Sequence, residues 1–330
     1  MFRTVLAILP FLALSFASCN QNDAQHDALL KQPPFDQISD SIDRDPGNAA
    51  LYFRRGTQLY RRNETILAEK DLRKAWELEP NEKHAQRLAA FLVNTNQDQA
   101  IAFLQDAIAQ IPTSIGLQIM LAKGYQSRNN LEAALEILNR LLAQFPGQLD
   151  ALVMKAEILK ARNNTTALLQ TLETAHSFAP DDLEVMHMLA FVYAESKNPR
   201  ALNLADSLIE ADAGSRRAEP FYYKGVYYAN LGRPEEAIRQ FDAAIARNYN
   251  FLDAYINKGA VYYDQKKLAK AMEVFALANR ISPDEAEPYY WMAKTQEAAG
   301  NKTEARLNYQ RAYGLDKTLE EAREAAERLK

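Results

Sequence analysis

The stretch "AEPFYYKGVYYANLGRPEEAIRQFDAAIARNYNF" (218–251) decides the fold, because the chain goes on to repeat it. "LDAYINKGAVYYDQKKLAKAMEVFALANRISPDE" (252–285) and "AEPYYWMAKTQEAAGNKTEARLNYQRAYGLDKTL" (286–319) each hold 34 residues and align with it without a gap. Self-similarity at this period marks an array of short units, each too small to bury its apolar face alone. The eighth place of these units holds Gly225, Gly259 and Ala293, and the twentieth holds Ala237, Ala271 and Ala305. Small residues at two fixed places let two helices cross closely, since side-chain size sets interaxial distance.

Carried back along the chain, the frame gives eight units: 49–82, 83–114, 115–148, 149–182, 183–217, 218–251, 252–285 and 286–319. In the earlier units the eighth place reads Gly56, Leu88, Ala122, Ala156 and Ala190. The twentieth reads Ala68, Ala100, Ala134, Leu168 and Leu202. Because Leu168 and Leu202 are larger, the sequence predicts wider helix spacing there and a change of curvature over 200–217. Pro80, Pro112, Pro146, Pro180 and Pro283 close units by stopping their second helices. Asn96, Asn130, Asn164, Asn198 and Asn301 stand before second helices, where Asn can accept from free backbone N–H groups. Pro199 and Pro234 follow at a position that tolerates proline well. The apparent glycosylation sequons "NET", "NNT", "NTT" and "NKT" fall on or beside this turn and read as turn chemistry.

This constellation resembles the tetratricopeptide repeat: early aromatic, small eighth place, aromatic at the eleventh, Ala at the twentieth and near the twenty-seventh, Pro near the thirty-second. The resemblance implies an all-α solenoid of about eight helix-turn-helix repeats. An N-terminal capping helix is expected over 35–48 and a polar C-terminal capping helix, "EEAREAAERLK", over 320–330.

Composition agrees. The body is rich in good helix formers and lacks Val/Ile/Thr strand runs. A net charge of -4 leaves no basic footprint for nucleic acid. The single cysteine excludes a disulfide framework. His26, His84, His176 and His187 fall at unrelated places, and no HExxH, P-loop, GxGxxG or nucleophile elbow is present. No catalytic residue, metal ligand or cofactor is expected, and an enzyme is disfavoured.

The N-terminus "MFRTVLAILPFLALSFASC" has one positive charge, an apolar run from Val5 to Phe16, and small residues before Cys19. That layout reads as an export signal over 1–18, with the apolar run too short to span a bilayer comfortably. Cleavage near Ser15 to Ala17 and an uncleaved anchor both stay open. "FASC" resembles the lipobox of bacterial lipoproteins, with Phe16 where that family usually has Leu. The resemblance implies lipid attachment at Cys19, a flexible tether over 19–34 and anchoring in the bacterial cell envelope. Asn20 after the cysteine points to the outer membrane rather than inner-membrane retention.

In the repeat family, first helices line a concave groove that binds other proteins as peptide segments or within larger complexes. The resemblance places Tyr222, Tyr223, Asp253, Asn257, Tyr263, Tyr290, Trp291 and Lys294 on it, an aromatic set with an acidic fringe. Tyr and Trp offer rigid contact area at low entropic cost, although they are also regular packing residues of such repeats. The early units offer a different face, with Phe53, Arg54, Tyr60, Arg61, Ala85, Ala89 and Val93. The family's clamp for a C-terminal carboxylate is not reproduced. Asn257 fits one place, but Tyr222 and Val226 stand where Lys and Asn are needed. The function expected is a non-enzymatic, envelope-anchored interaction scaffold. The alternatives are a soluble secreted adaptor and a structural subunit of an envelope assembly machine.

Overall fold

The computed structural model describes residues 26–211 and 217–330. The export signal and Cys19 lie outside the described residues. Among those residues every regular element is a helix, and they form two compact units, up to Pro146 and from Gly147 onward.

The first unit holds α1 (Asp36–Arg44), α2 (Ala49–Arg61), α3 (Thr65–Leu78), α4 (Glu82–Thr95), α5 (Gln97–Gln110), α6 (Ile115–Ser127) and α7 (Leu131–Gln144). The second holds α8 (Leu149–Ala161), α9 (Thr165–Phe178), α10 (Leu183–Glu195), α11 (Arg200–Ala211), α12 (Glu219–Asn230) and α13 (Pro234–Arg247). It continues with α14 (Leu252–Asp264), α15 (Leu268–Ile281), α16 (Ala286–Ala298), α17 (Lys302–Leu315) and α18 (Glu320–Arg328). From α2 to α17 the helices pair as first and second members of the eight repeats. No described helix is long and apolar enough to cross a membrane. Part of the segment expected as a free tether touches the folded body: residues 26–30 are helical, and Leu29 and Leu30 pack against the first unit's core.

Seven of the eight pairs are closed by the same kind of joint. A residue just before the second helix, two before it in six repeats and three before it in the fifth, lies in the left-handed region: Asn63, Asn129, Asn163, Lys197, Gly232, Lys266 and Gly300. The reversal lets the next N–H reach back to a carbonyl of the last turn, as from Asn130 to Tyr125 O at 2.9 Å and Asn164 to Leu159 O at 3.0 Å. Asn96, Asn130 and Asn164 then accept from the third backbone N–H beyond them, as expected of caps. Asn198 accepts instead from Arg200 N–H at 3.1 Å. Asn301 makes no such bond, which corrects the expectation there. In the second repeat a single residue, Asn96, ends α4 and starts α5, so the two residues missing from that unit are missing from its turn.

The proline stops act as anticipated. α3, α5, α7, α9 and α15 each end one residue short of a proline, and that residue has ψ between 68° and 90°. A helical ψ there would drive it into the proline ring.

The fifth repeat needs a correction. Leu202 is not at the close-crossing place; Ala201 is. Ala201, Ala205 and Leu208 form the buried stripe of α11. They match Ala237, Phe241 and Ala244 of α13. The turn after α10 is one residue tighter, because Ala201 and Leu202 bond back only three residues, to Asn198 O and Pro199 O. Leu168 does occupy its place and is buried. The curvature expected over 200–217 falls partly on 212–216, outside the described residues.

Two polar devices tie neighbouring helices. In the first unit, Arg55 of α2 donates to both carboxylate oxygens of Asp71 on α3, at 2.6 and 2.9 Å, and to Ser39 Oγ of α1 at 2.9 Å. All three residues are buried. In the second unit, Lys224 of α12 pairs with Asp206 of α11, and Lys258 of α14 pairs with Asp242 of α13 at 2.6 Å. These lysines share the seventh place of their repeats.

The small eighth place has a measurable cause. A Cβ on Gly259 falls 2.4 Å from Phe275 Cε1, and one on Gly225 falls 2.4 Å from Phe241 Cε1. Both phenylalanines are fully buried. Gly314, inside α17, has nothing within 4 Å of its Cβ position. Alanine is favoured over glycine inside a helix by up to about 1 kcal/mol, whereas overpacking a tight core costs about 1–3 kcal/mol. Gly314→Ala is therefore expected to raise the urea midpoint, and Gly259→Ala to lower it. Equal shifts in the same direction would refute the close-crossing argument.

Candidate functional site

In the second unit the first helices lie side by side, α10 against α12, α12 against α14, and α14 against α16. Their side chains separate the expected site residues into two groups.

The first group centres on Tyr222. Its ring lies 5.1 Å from Phe251, 5.9 Å from Phe241 and 6.3 Å from Phe191, stacked on the last at 12°. Asn257 Nδ2 donates to the Tyr222 hydroxyl at 3.2 Å and to the Asp253 backbone carbonyl at 2.9 Å. Burial, then the Asp253 carboxylate, raises the Tyr222 phenol far above its ordinary range. Tyr223 is only 9% exposed. Its ring packs against His187 and Phe191, and its hydroxyl lies 3.1 Å from His187 Nδ1. Tyr223 thus serves the α10–α12 contact and is withdrawn from the surface. His187 is held there too, with Nε2 3.3 Å from Arg217.

The second group is open. Trp291 stacks on Phe275 at 5.5 Å and 14°, with Tyr263 and Tyr290 edge-on at 5.9 and 6.2 Å. The Lys294 ammonium lies over three rings, 4.6 Å from Trp291, 5.4 Å from Tyr290 and 5.9 Å from Tyr263. Such contacts favour a cation at about 0.5–1 kcal/mol each when exposed. Tyr290 donates to Glu321 of α18 at 2.7 Å, and Trp291 Nε1–H to Glu287 at 3.4 Å.

Two clefts meet at this group. One, of about 410 Å³, is lined by Tyr263, Tyr290, Lys294, Tyr309, Glu321 and Arg328 among others. The other, of about 600 Å³, is lined by Tyr290, Trp291, Leu315, Leu319 and four carboxylates. The expected Tyr263, Tyr290, Trp291 and Lys294 are therefore brought together, and Asp253 and Asn257 sit with Tyr222 instead. On the early face, Ala85 and Ala89 are fully buried and line no surface.

Sequence reasoning missed Phe251, Tyr309, Glu321 and Arg328. Phe251 is the last residue of its repeat, and Glu321 and Arg328 belong to a helix read only as a polar cover. The signal for Glu321 was its register, second in its helix like Glu287 and Asp253. Among the described residues no cluster of His, Cys, Asp or Glu could hold a metal ion.

Tyr290 carries a pH signature. Burial, with the Glu321 carboxylate accepting its hydroxyl, pushes its phenol from 10.0 up to about 12. A folded pKa above the unfolded one means the protonated form is favoured by folding. That stabilisation is complete below pH 10.0 and is lost as pH rises towards 12. Tyr290→Phe is expected to flatten the fall in melting temperature across this window. An unchanged alkaline slope in the variant would contradict the assignment.

Tetratricopeptide-repeat family models match residues 94–158 and 222–286. Mouse tetratricopeptide repeat protein 14 is 28% identical over 112 residues, covering 32% of this chain. The chain spans only 15% of that relative's length. A tetratricopeptide repeat protein of known structure from Parabacteroides merdae superposes with a TM-score of 0.59 at 17% identity, over 85% of this chain and 98% of that one. The APC/C hetero-tetramer Cut9–Hcn1 superposes with a TM-score of 0.50 at 14% identity, over 91% of this chain and 60% of that one. At these identities the structural likeness is one of fold.

Proposed function

We propose that the chain is a tetratricopeptide-repeat protein that works as a non-enzymatic interaction scaffold, with the face of α14, α16 and α18 as its partner surface. One observation carries the reading: Tyr290 and Trp291 stand half-exposed where two clefts meet. Phe275 supports Trp291 from the core side, so the indole is rigid before any partner arrives. Rigid aromatic side chains lose little entropy on binding and concentrate binding energy. The test is a charge-independent one. A photo-crosslinking residue at position 290 should form specific adducts in the native host, and Trp291→Ala should abolish them while the melting temperature stays within a few degrees. Undiminished adducts in a normally melting Trp291→Ala protein would move the partner surface elsewhere.

The second part of the proposal concerns the envelope. "FASC" ending at Cys19 supports an N-terminal lipid that holds the scaffold on a bacterial membrane, the outer membrane being the destination favoured by Asn20. Two or more acyl chains are needed for stable anchoring. Mass spectrometry of the mature protein should find a chain that begins at Cys19 and carries acyl mass. An unmodified N-terminus at another residue would remove the anchor and leave the interaction surface untouched.

A further inference from the structure

The cleft of about 600 Å³ beside Trp291 is chemically one-sided. Its floor is Tyr290, Trp291, Leu315 and Leu319, and its rim carries Asp284, Glu285, Glu287 and Asp316. No lysine or arginine is among its lining residues. From this arrangement we infer that the partner segment is basic. A lysine or arginine of the partner lays its aliphatic stem on the Trp291–Leu319 floor and its charged head among the rim carboxylates. The inference rests on the interaction reading given above and names the chemistry of its partner.

Three further observations bear on the occupant. The first is the state of the rim without a counter-ion. Partial burial, together with repulsion from Asp253 and Glu285, raises the Glu287 carboxyl above its ordinary range. A cation delivered to this point relieves that repulsion. The second is the register of acids on the whole face. In the second unit a carboxylate stands at the second place of every repeat, and at the same place of the frame in α18: Asp150, Glu184, Glu219, Asp253, Glu287 and Glu321. All six are exposed. Acidic residues in a first turn also suit the helix dipole, but that reason applies to every helix alike. The equivalent places of the first unit hold Ala50, His84 and Gly116. The dipole alone therefore does not account for the row. The third is the floor itself. Long basic side chains bury their methylene stems on apolar surface while the head stays polar; Trp291 already stacks on Phe275 and carries the Lys294 ammonium over its ring, so the head of the partner's side chain is drawn by the carboxylates. An acidic segment meets the opposite conditions in this cleft. The neighbouring cleft, with Lys294 and Arg328 against Glu297 and Glu321, is balanced in charge and selects neither sign.

The test uses Trp291 as its own reporter. The full chain has two tryptophans, and Trp76→Phe leaves Trp291 alone. Short synthetic peptides alternating Leu with Lys or Arg are titrated against this protein, beside peptides of the same pattern with Glu or with Ser. The basic peptides should shift Trp291 fluorescence at saturable concentrations, with affinity that falls as salt is raised. Glu285→Gln combined with Glu287→Gln should weaken them about tenfold or more, which corresponds to about 1.4 kcal/mol. These two side chains are exposed, so the melting temperature should hold. If the Glu or Ser peptides shift Trp291 equally well, the interaction surface stands and the basic partner is overturned. The basic partner is likewise overturned if the double Gln variant binds the basic peptides as before. If no peptide perturbs Trp291, both the basic partner and the surface fall. If the free protein forms dimers that Trp291→Ala dissolves, the occupant is a second copy and the inference is overturned.

Discussion

Two helices can lie as close as those of α14 and α15 only if one of them contributes almost nothing at the crossing point. Gly259 supplies that absence, and Phe275 fills the space it leaves. The arrangement matters well beyond one pair. Phe275, fixed from below by a backbone without a side chain, is the surface on which Trp291 of the next repeat stacks. The vacancy at place eight therefore sets the position of an exposed indole one repeat away. In an array where each unit touches only its neighbours, stability is close to a sum of such local agreements. A disturbance at one crossing reaches the next unit through the shared ring rather than through the molecule as a whole.

Much of this was legible in the sequence, because close packing and chain reversal each restrict residue choice. Small residues at two places, prolines after second helices and Asn at the joint are forced by sterics or unpaired backbone groups, and such forces leave letters behind. The failures were of a different kind. Ala201 was misplaced by one residue because counting assumes every joint has the same length, whereas the joint after α10 is tightened by three-residue backbone bonds. Asn301 has the residue type of a cap without making the bond. The buried pair of Arg55 and Asp71 left no trace, since charged residues sixteen apart look like two solvated side chains until two helices bring them together.

The face of α14, α16 and α18 shows where register stops being informative. Tyr222 and Tyr223 are adjacent in sequence, yet one keeps an edge on the surface and the other is buried between α10 and α12. Successive positions on a helix point about 100° apart, so a one-residue difference separates packing from exposure. The sequence grouped both with Trp291 because all are aromatic. Only the geometry separates those that hold the array together from those that stay available to another molecule.

The paired lysine and aspartate between successive helices have a consequence for how such a protein could be rebuilt. Lys224 looks back to Asp206, and Lys258 looks back to Asp242. The sixth repeat thus presents a cation to the unit before it and an anion to the unit after it, like a tongue and a groove cut in one plank. The eighth repeat has Met292 at the corresponding place and the seventh has Ala276 where the aspartate would be. Copies of the sixth repeat can be inserted in series with every joint matched, whereas the last two repeats accept each other and form an apolar terminus to the ionic series. Length on one side of that boundary is adjustable by whole modules, and on the other it is not.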